Sequence, residues 1–396
     1  MPVNEDKASR FHRRKRWAQV GAAAAGASLL VAWMASGASA LVRDLARALA
    51  HAFVTSEPNV AIVEVAAYVI ILSLSLSLVE LPFEFYRSFL LERRYGLTTE
   101  TLRTWLADHA KALLIGAVVG LVAAEVAYAA LRWSPGWWWL VTGLAFAAGL
   151  AALAVVAPVL LLPLFYRFVP LDRQGLADRL LRLTRRTGVP VVGVYEWRLG
   201  EKSRRANAAL VGIGPTRRIL VSDTLLSGYS EDEVEVILAH ELSHHVHHDL
   251  RRMVMLDGLV MIAALGVGHV ALVTLGTRVG LAAPHDVAGL PLLVLAGGLA
   301  GLAATPLLNA LSRRDERRAD RCALDLTRNV PAFVSAMRRL GAQNLAEEQP
   351  SRMVEWWFYG HPPLAQRLDA AREWAQRDGD ASSLSLADPG ASGSSG

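Results

Sequence analysis

The chain contains one cysteine, Cys322, so no intramolecular disulfide can form and nothing in the fold demands an oxidising compartment. A lone thiol of this kind reads as a small buried apolar side chain. Charge is scarce too: Asp, Glu, Lys and Arg make up 19% of the 396 residues, against 53% hydrophobic, and mean hydropathy is +0.31. That excess of apolar residues belongs in lipid rather than in two or three soluble domains. The net charge of +5 comes from basic residues that flank apolar segments and are not interleaved with aromatics. This argues against a nucleic-acid surface and for topology and lipid contact. No repeat occurs at solenoid or propeller spacing.

Six stretches have the length and apolarity of membrane spans, at 17–42, 60–81, 110–131, 137–163, 253–277 and 286–311. The first has two readings. Arg10, Arg13, Arg14, Lys15 and Arg16 ahead of an alanine-rich core and Ala38-Ser39-Ala40 fit a secretory signal, whereas the apolar run continuing through Val42 favours an uncleaved anchor. Basic residues alternate between connections. The amino terminus is rich in them, 43–59 has only Arg43 and Arg47, and 83–109 has Arg87, Arg93, Arg94 and Arg103. The connection 132–136 carries only Arg132, and 278–285 only Arg278. The positive-inside rule therefore places the polar segment 170–252 and the segment from Ser312 in the cytoplasm. At membrane depth, Glu125 and His269 either line an internal water-filled space or pack beside another polar group.

The segment 170–252 predicts a helix over 176–186, a strand at Val191–Trp197, and a hairpin of Ala206–Ile213 and Arg218–Ser222 around Gly214-Pro215. The tail, 376–396, is rich in Ser, Gly, Asp and Ala and predicts disorder.

Ser230-Glu231-Asp232-Glu233 has capping-box form and precedes Val234, Val236, Ile237 and Leu238, so a helix begins near Glu231. It carries His240-Glu241-Leu242-Ser243-His244, an HExxH motif. Spacing of four puts both imidazoles on one face, where they can chelate one zinc, and Glu241 can act as general base on water beside it. The plain alternative is a surface helix rich in His and Glu. A catalytic zinc needs a third ligand, and Glu316 in the run 312–320 is the best candidate, because the last span there returns to the cytoplasmic side. Asp320, one turn later, can orient a ligand imidazole. The same run also reads as a solvated stretch of helical salt bridges, a description that suits Asp315 better than Glu316. His245 and His247 fall off the ligand face and His248 lies a turn beyond, so all three read as polar groups around the site or on the surface. His361-Pro362-Pro363 opens a final helix, with His361 as either a cap or a hydrogen-bond donor to an oxyanion.

Several separated motifs share one order. They are Leu81-Pro82 with Tyr86, Phe89, Glu92 and Gly96; Asn207-Ala208 with Arg218-Ile219-Leu220 and Asp223-Thr224-Leu225-Leu226; HExxH; the Ser312-Arg313 to Asp320 run; and His361-Pro362-Pro363. Over 62–374 the chain resembles the integral-membrane zinc metallopeptidases of the CAAX prenyl endopeptidase (type I) family. The resemblance implies a mainly α, multi-span helical protein enclosing a water-filled chamber, with a cytoplasmic gluzincin-like peptidase domain that contains a short β-hairpin. Residues 1–168 would hold four spans, and residues 169–375 the peptidase domain interrupted by two more. His240, His244 and Glu316 would bind one zinc ion per chain, Glu241 would be the base, and Asp320 would stand behind a ligand. Asn207 and His361 would hold the substrate backbone, and the strand carrying Asn207 would bind an extended peptide by strand addition. Expected partners are a peptide or membrane-associated protein and the bilayer, with no nucleic acid. Eukaryotic members usually carry a further amino-terminal span, whereas six are counted here. The Ala, Leu and Arg bias resembles bacterial coding style, which predicts a multi-pass protein of a bacterial plasma membrane and carries the peptidase chemistry over better than the prenylated substrate. Two other functions are set against this one: a quality-control metalloprotease for membrane proteins, and a non-catalytic membrane binding or transport protein with an incidental HExxH.

Overall fold

The computed structural model describes residues 2–212 and 214–377; the expected tail, apart from Gln376 and Arg377 at the end of the last helix, lies outside them, as does Ile213. Helix α1 (Pro2–Ala35) ends at a turn where Gly37 takes φ +78, and α2 (Ala38–Phe53) follows as a separate helix. The first apolar run thus does not continue through Val42 as one span. A left-handed residue stops the ladder at Gly37. Then come α3 (Glu57–Arg94), α4 (Leu102–Trp133) and α5 (Trp138–Phe165). Both α3 and α5 contain a π turn, at Phe85–Leu90 and Ala157–Leu161, just after Pro82 and around Pro158, where the missing N–H breaks the regular ladder.

The polar segment that follows holds a four-stranded sheet, one strand of which sequence reading missed. β1 (Phe168–Pro170) pairs antiparallel with β2 (Gly193–Trp197), β2 parallel with β4 (Arg218–Ser222), and β4 antiparallel with β3 (Ala208–Val211). Three residues are too few to show a period. The β3–β4 turn needs glycine, because at Gly212 (φ +89) a Cβ would lie 2.7 Å from the Thr216 carbonyl oxygen. Helix α6 (Gln174–Thr187) connects β1 and β2, and α7 (Asp223–Gly228) and α8 (Glu231–Val246) follow β4. The Ser230 capping box forms as expected, with Ser230 Oγ accepting from Glu233 N and Glu233 Oε2 accepting from Ser230 N. Two further spans, α9 (Asp249–Leu275) and α10 (Leu290–Thr327), precede α11 (Val330–Gln343), α12 (Arg352–Phe358) and α13 (Leu364–Arg377). The last helix starts three residues after His361. His361 and Pro362 each precede a proline, which keeps them out of helical geometry.

Packing is concentrated at two ends. One core, around Leu180, Ile219, Val221, Leu238, Leu242 and Phe333, joins the sheet to α6, α8 and α11. The other, around Tyr68, Tyr128, Trp138, Leu272 and Leu292, joins the opposite ends of the spans. Between them the apolar stretches pack little: 0% of the α5 window and 11% of the α4 window is buried. Helices buried so little do not form the inside of a filled bundle. Where α5 and α9 do touch, small residues let the backbones approach, since a Cβ at Gly143 would fall 2.6 Å from Ile262 Cγ1. At membrane depth, His269 Nδ1 accepts from Trp138 Nε1 at 3.1 Å, and Glu125 Oε1 is buried without a hydrogen-bond partner among the described residues.

The amino-terminal end of α1 lies on the peptidase side. His12 Nε2 donates to the Leu345 carbonyl oxygen at 2.8 Å and Arg16 pairs with Glu347 at 2.6 Å. At the other end, Arg43 pairs with Asp286 at 2.8 Å and Ser39 donates to the Ala288 carbonyl oxygen.

Candidate metal centre

Helix α8 is buried along most of its length, which fixes the rotation of its histidine face. His240 and His244 stand one turn apart, with their Nε2 atoms 3.3 Å from each other. Helix α10 brings Glu316 to the same point, Oε2 3.2 Å from His240 Nε2 and Oε1 3.5 Å from His244 Nε2. These three form a group able to hold a metal ion. The outer ring nitrogens explain why. His240 Nδ1 lies 2.9 Å from Asp320 Oδ1, and His244 Nδ1 lies 2.9 Å from Asp249 Oδ2. A carboxylate accepts at each Nδ1 and so holds the proton there, turning both Nε2 lone pairs toward each other and toward a carboxylate. A cation between them suits that arrangement, a metal ion when one is bound or a proton on His240 when none is.

The supporting layer is charged throughout. Arg367 from α13 donates Nε to Asp320 Oδ2 at 2.8 Å and Nη2 to Oδ1 at 2.5 Å. Sequence reading missed both Arg367 and Asp249. Asp249 opens α9 just past His248, whose φ of +57 turns the chain from α8 into α9, and no local pattern signals such a turn. Asp315 corrects an expectation: it is 4% exposed, not solvated, and pairs with Arg252 and Arg318 between α9 and α10.

Glu241 is half-buried beside the two histidines. Burial pushes its carboxyl upward, against the opposing pull of His240 and His244. His361 brings Nδ1 to 2.9 Å from Glu316 Oε2, with most of its side chain exposed. Asn207 is exposed and sits one residue before β3, which begins two residues later than the sequence pattern predicts. Its carbonyl accepts from Ser222 N at 2.9 Å, so by antiparallel alternation the N–H and C=O of Ala208 and Leu210 face the outer edge, where Asn344 already pairs with the Ala206 backbone. His245 Nε2 donates to that Leu210 carbonyl at 2.8 Å and ties the edge strand to α8. His247 returns to Ser243 at the helix end.

Residues 170–375 match peptidase family M48, and residues 4–167 match the CAAX prenyl protease N-terminal domain, described as five membrane helices. The chain belongs to peptidase family M48. Four helices of span length lie in the matched N-terminal stretch, with the shorter α2 as a fifth helix. An uncharacterized metalloprotease of Bacillus subtilis, YhfN, is 30% identical over 78% of this chain and 74% of its own length. A probable CAAX prenyl protease 1 of Schizosaccharomyces pombe is 27% identical over 76% of this chain and 64% of its own. The crystal structure of S. mikatae Ste24p superposes with a TM-score of 0.77 at 22% identity, covering 93% of this chain and 88% of that one, which is a likeness of fold. The chain is therefore a multi-pass membrane metalloendopeptidase with a chambered helical fold, and neither the quality-control nor the non-catalytic alternative is favoured.

Proposed function

We propose that this family member is a zinc-dependent endopeptidase that cuts peptide bonds at the cytoplasmic surface of a bacterial plasma membrane, on substrates resembling CAAX proteins. The observation that carries the reading is the convergence of His240 Nε2, His244 Nε2 and Glu316 beside Glu241, at the membrane end of a peptidase unit spanning 169–375. The separations of 3.2, 3.3 and 3.5 Å suit a tetrahedral zinc, whose bonds of about 2.0–2.1 Å give ligand edges of about 3.3 Å. When bound, zinc supplies Lewis-acid polarisation of the scissile carbonyl and acidifies water. The chain's own groups do the rest. Glu241, its carboxyl raised by burial, takes a proton from the attacking water and delivers it to the leaving amine. The exposed ring of His361 donates to the developing oxyanion, and Asn207 with the outer edge of β3 around Ala208, between the Asn344 and His245 contacts, holds the peptide extended. The cytoplasmic side rests on the basic amino terminus and the basic stretch 83–109, the bacterial membrane on the Bacillus relative, and the substrate class on relatives described as CAAX prenyl proteases.

Purified protein should cleave a prenylated CAAX peptide, stop when a zinc chelator is added, and recover with stoichiometric zinc but not with calcium. Cleavage of an unfolded membrane protein alone would overturn the substrate class. Activity that survives complete chelation would overturn the metal.

The histidines also predict a pH dependence. In the metal-free protein, burial works against charging His240, but Asp320 and Glu316 outweigh it and hold its pKa up at about 9. That value lies above the ordinary 6.5, so the pairing stabilises the metal-free fold fully below about 6.5 and is lost as pH rises through about 9. Loading of the site would then release a proton from His240 at neutral pH, and apparent zinc affinity should rise about tenfold per pH unit for each proton released. Calorimetry in buffers of different ionisation enthalpy counts those protons, and finding none at pH 7 would contradict the arrangement.

A further inference from the structure

The segment that carries His361 is gripped at two points by groups outside the metal centre. Arg313 on α10, three residues before Glu316, is buried and donates Nη1 to the carbonyl oxygens of Tyr359 at 2.7 Å and Glu355 at 3.0 Å. Its Nε lies 3.2 Å from Glu355 Oε1. The other end of Tyr359 is held from the opposite side. Its hydroxyl donates to Glu347 Oε2 at 2.6 Å and accepts from Arg16 Nη1 at 3.1 Å, and Arg16 also donates to Glu347 at 2.6 Å. Arg16 belongs to the basic end of α1, and His12, one turn earlier, fixes Leu345 in the same loop as Glu347. Between Tyr359 and His361 the chain passes Ser312 so closely that a Cβ on Gly360 would sit 3.1 Å from Ser312 Oγ. Two residues beyond the clamped Tyr359, His361 reaches Glu316.

We infer that Tyr359, held by Arg16 and Glu347 from one side and Arg313 from the other, is a positioning residue that sets the reach of His361 over the metal centre, so that the amino-terminal helix contributes to catalysis through this clamp. The inference rests on the role proposed above for His361. The irregular stretch from Tyr359 to Pro363 has no ladder of its own to hold a ring in place. Its only regular support comes from the helices at either end, and Tyr359 couples it to three distant parts of the chain: α1, the 344–347 loop and α10. Because a donor to an oxyanion acts only when correctly placed, a displacement of under an ångström lowers turnover without weakening substrate binding.

The test is a double-mutant cycle of Tyr359→Phe with His361→Ala, with kcat, KM, bound metal and thermal unfolding measured for each protein. Tyr359→Phe keeps the ring packing and removes the hydroxyl. It should lower kcat about five- to twentyfold with KM, metal content and unfolding temperature unchanged. In the His361→Ala background the same change should lower kcat by less than about twofold, since the group it acts through is gone. Arg16→Gln, which leaves every side chain at the metal centre in place, must show the same pattern. Equal losses in both backgrounds would overturn the inference while leaving the role of His361 intact. A silent His361→Ala would overturn that role and this inference together. Loss of metal or of fold in Tyr359→Phe would make the residue structural and also overturn it.

Discussion

Glu241→Gln is expected to bind metal as the parent protein does and to lose cleavage by about a hundred- to ten-thousandfold, the usual worth of a general base. The amide keeps the size and helical position of the carboxylate but cannot accept the proton. Glu241 itself makes no pair in the His240–His244–Glu316 group, so the metal has no reason to leave. Metal analysis and turnover on the same sample provide the check. Full activity in this variant would remove Glu241 from the chemistry, and loss of metal would mean that it helps to hold the ion.

Glu316→Ala should fail in the opposite order, by losing the metal first. Removing this carboxylate leaves two Nε2 atoms 3.3 Å apart without the anion that completes the set, and it takes away the partner of His361. Zinc affinity should fall by more than about a hundredfold, beyond the cost of losing an outer partner of a ligand. Cleavage should fall with it and return only partly at high zinc. The neighbouring carboxylate provides a contrast. Asp315→Asn breaks the buried pairing with Arg252 and Arg318, so it should lower the unfolding temperature while zinc titration stays unchanged. A Glu316→Ala protein with parental zinc affinity would overturn the ligand assignment.

The two variants probe features of different legibility. Helix α8 with its capping box could be read directly, because caps, i to i+4 spacing and apolar periodicity are local properties of the backbone. The span-length helices were readable for the same reason, since lipid thickness imposes a length on the sequence. Their ends were less so. The break at Gly37 depends on one left-handed residue inside an apolar run, and the start of α13 at Leu364 depends on two prolines acting on the residues before them. Asp249 and Arg367 gave no signal, because each acts through a partner far along the chain or across a turn: Asp249 on His244 after the turn at His248, and Arg367 on Asp320 from another helix. Asp315 was misread because a charge run looks the same whether water or another helix faces it.

By itself, the sequence determined the membrane habit, the helix that bears HExxH and the kinds of side chain available for a metal, since composition, period and capping are written within a few residues of one another. Which carboxylate stands behind which imidazole, and that the first helix reaches across to Tyr359, were decided only by the tertiary structure. Those contacts join residues tens to hundreds of positions apart, and their energies depend on burial and direction, which exist only once α8, α10, α13 and the end of α1 have packed together.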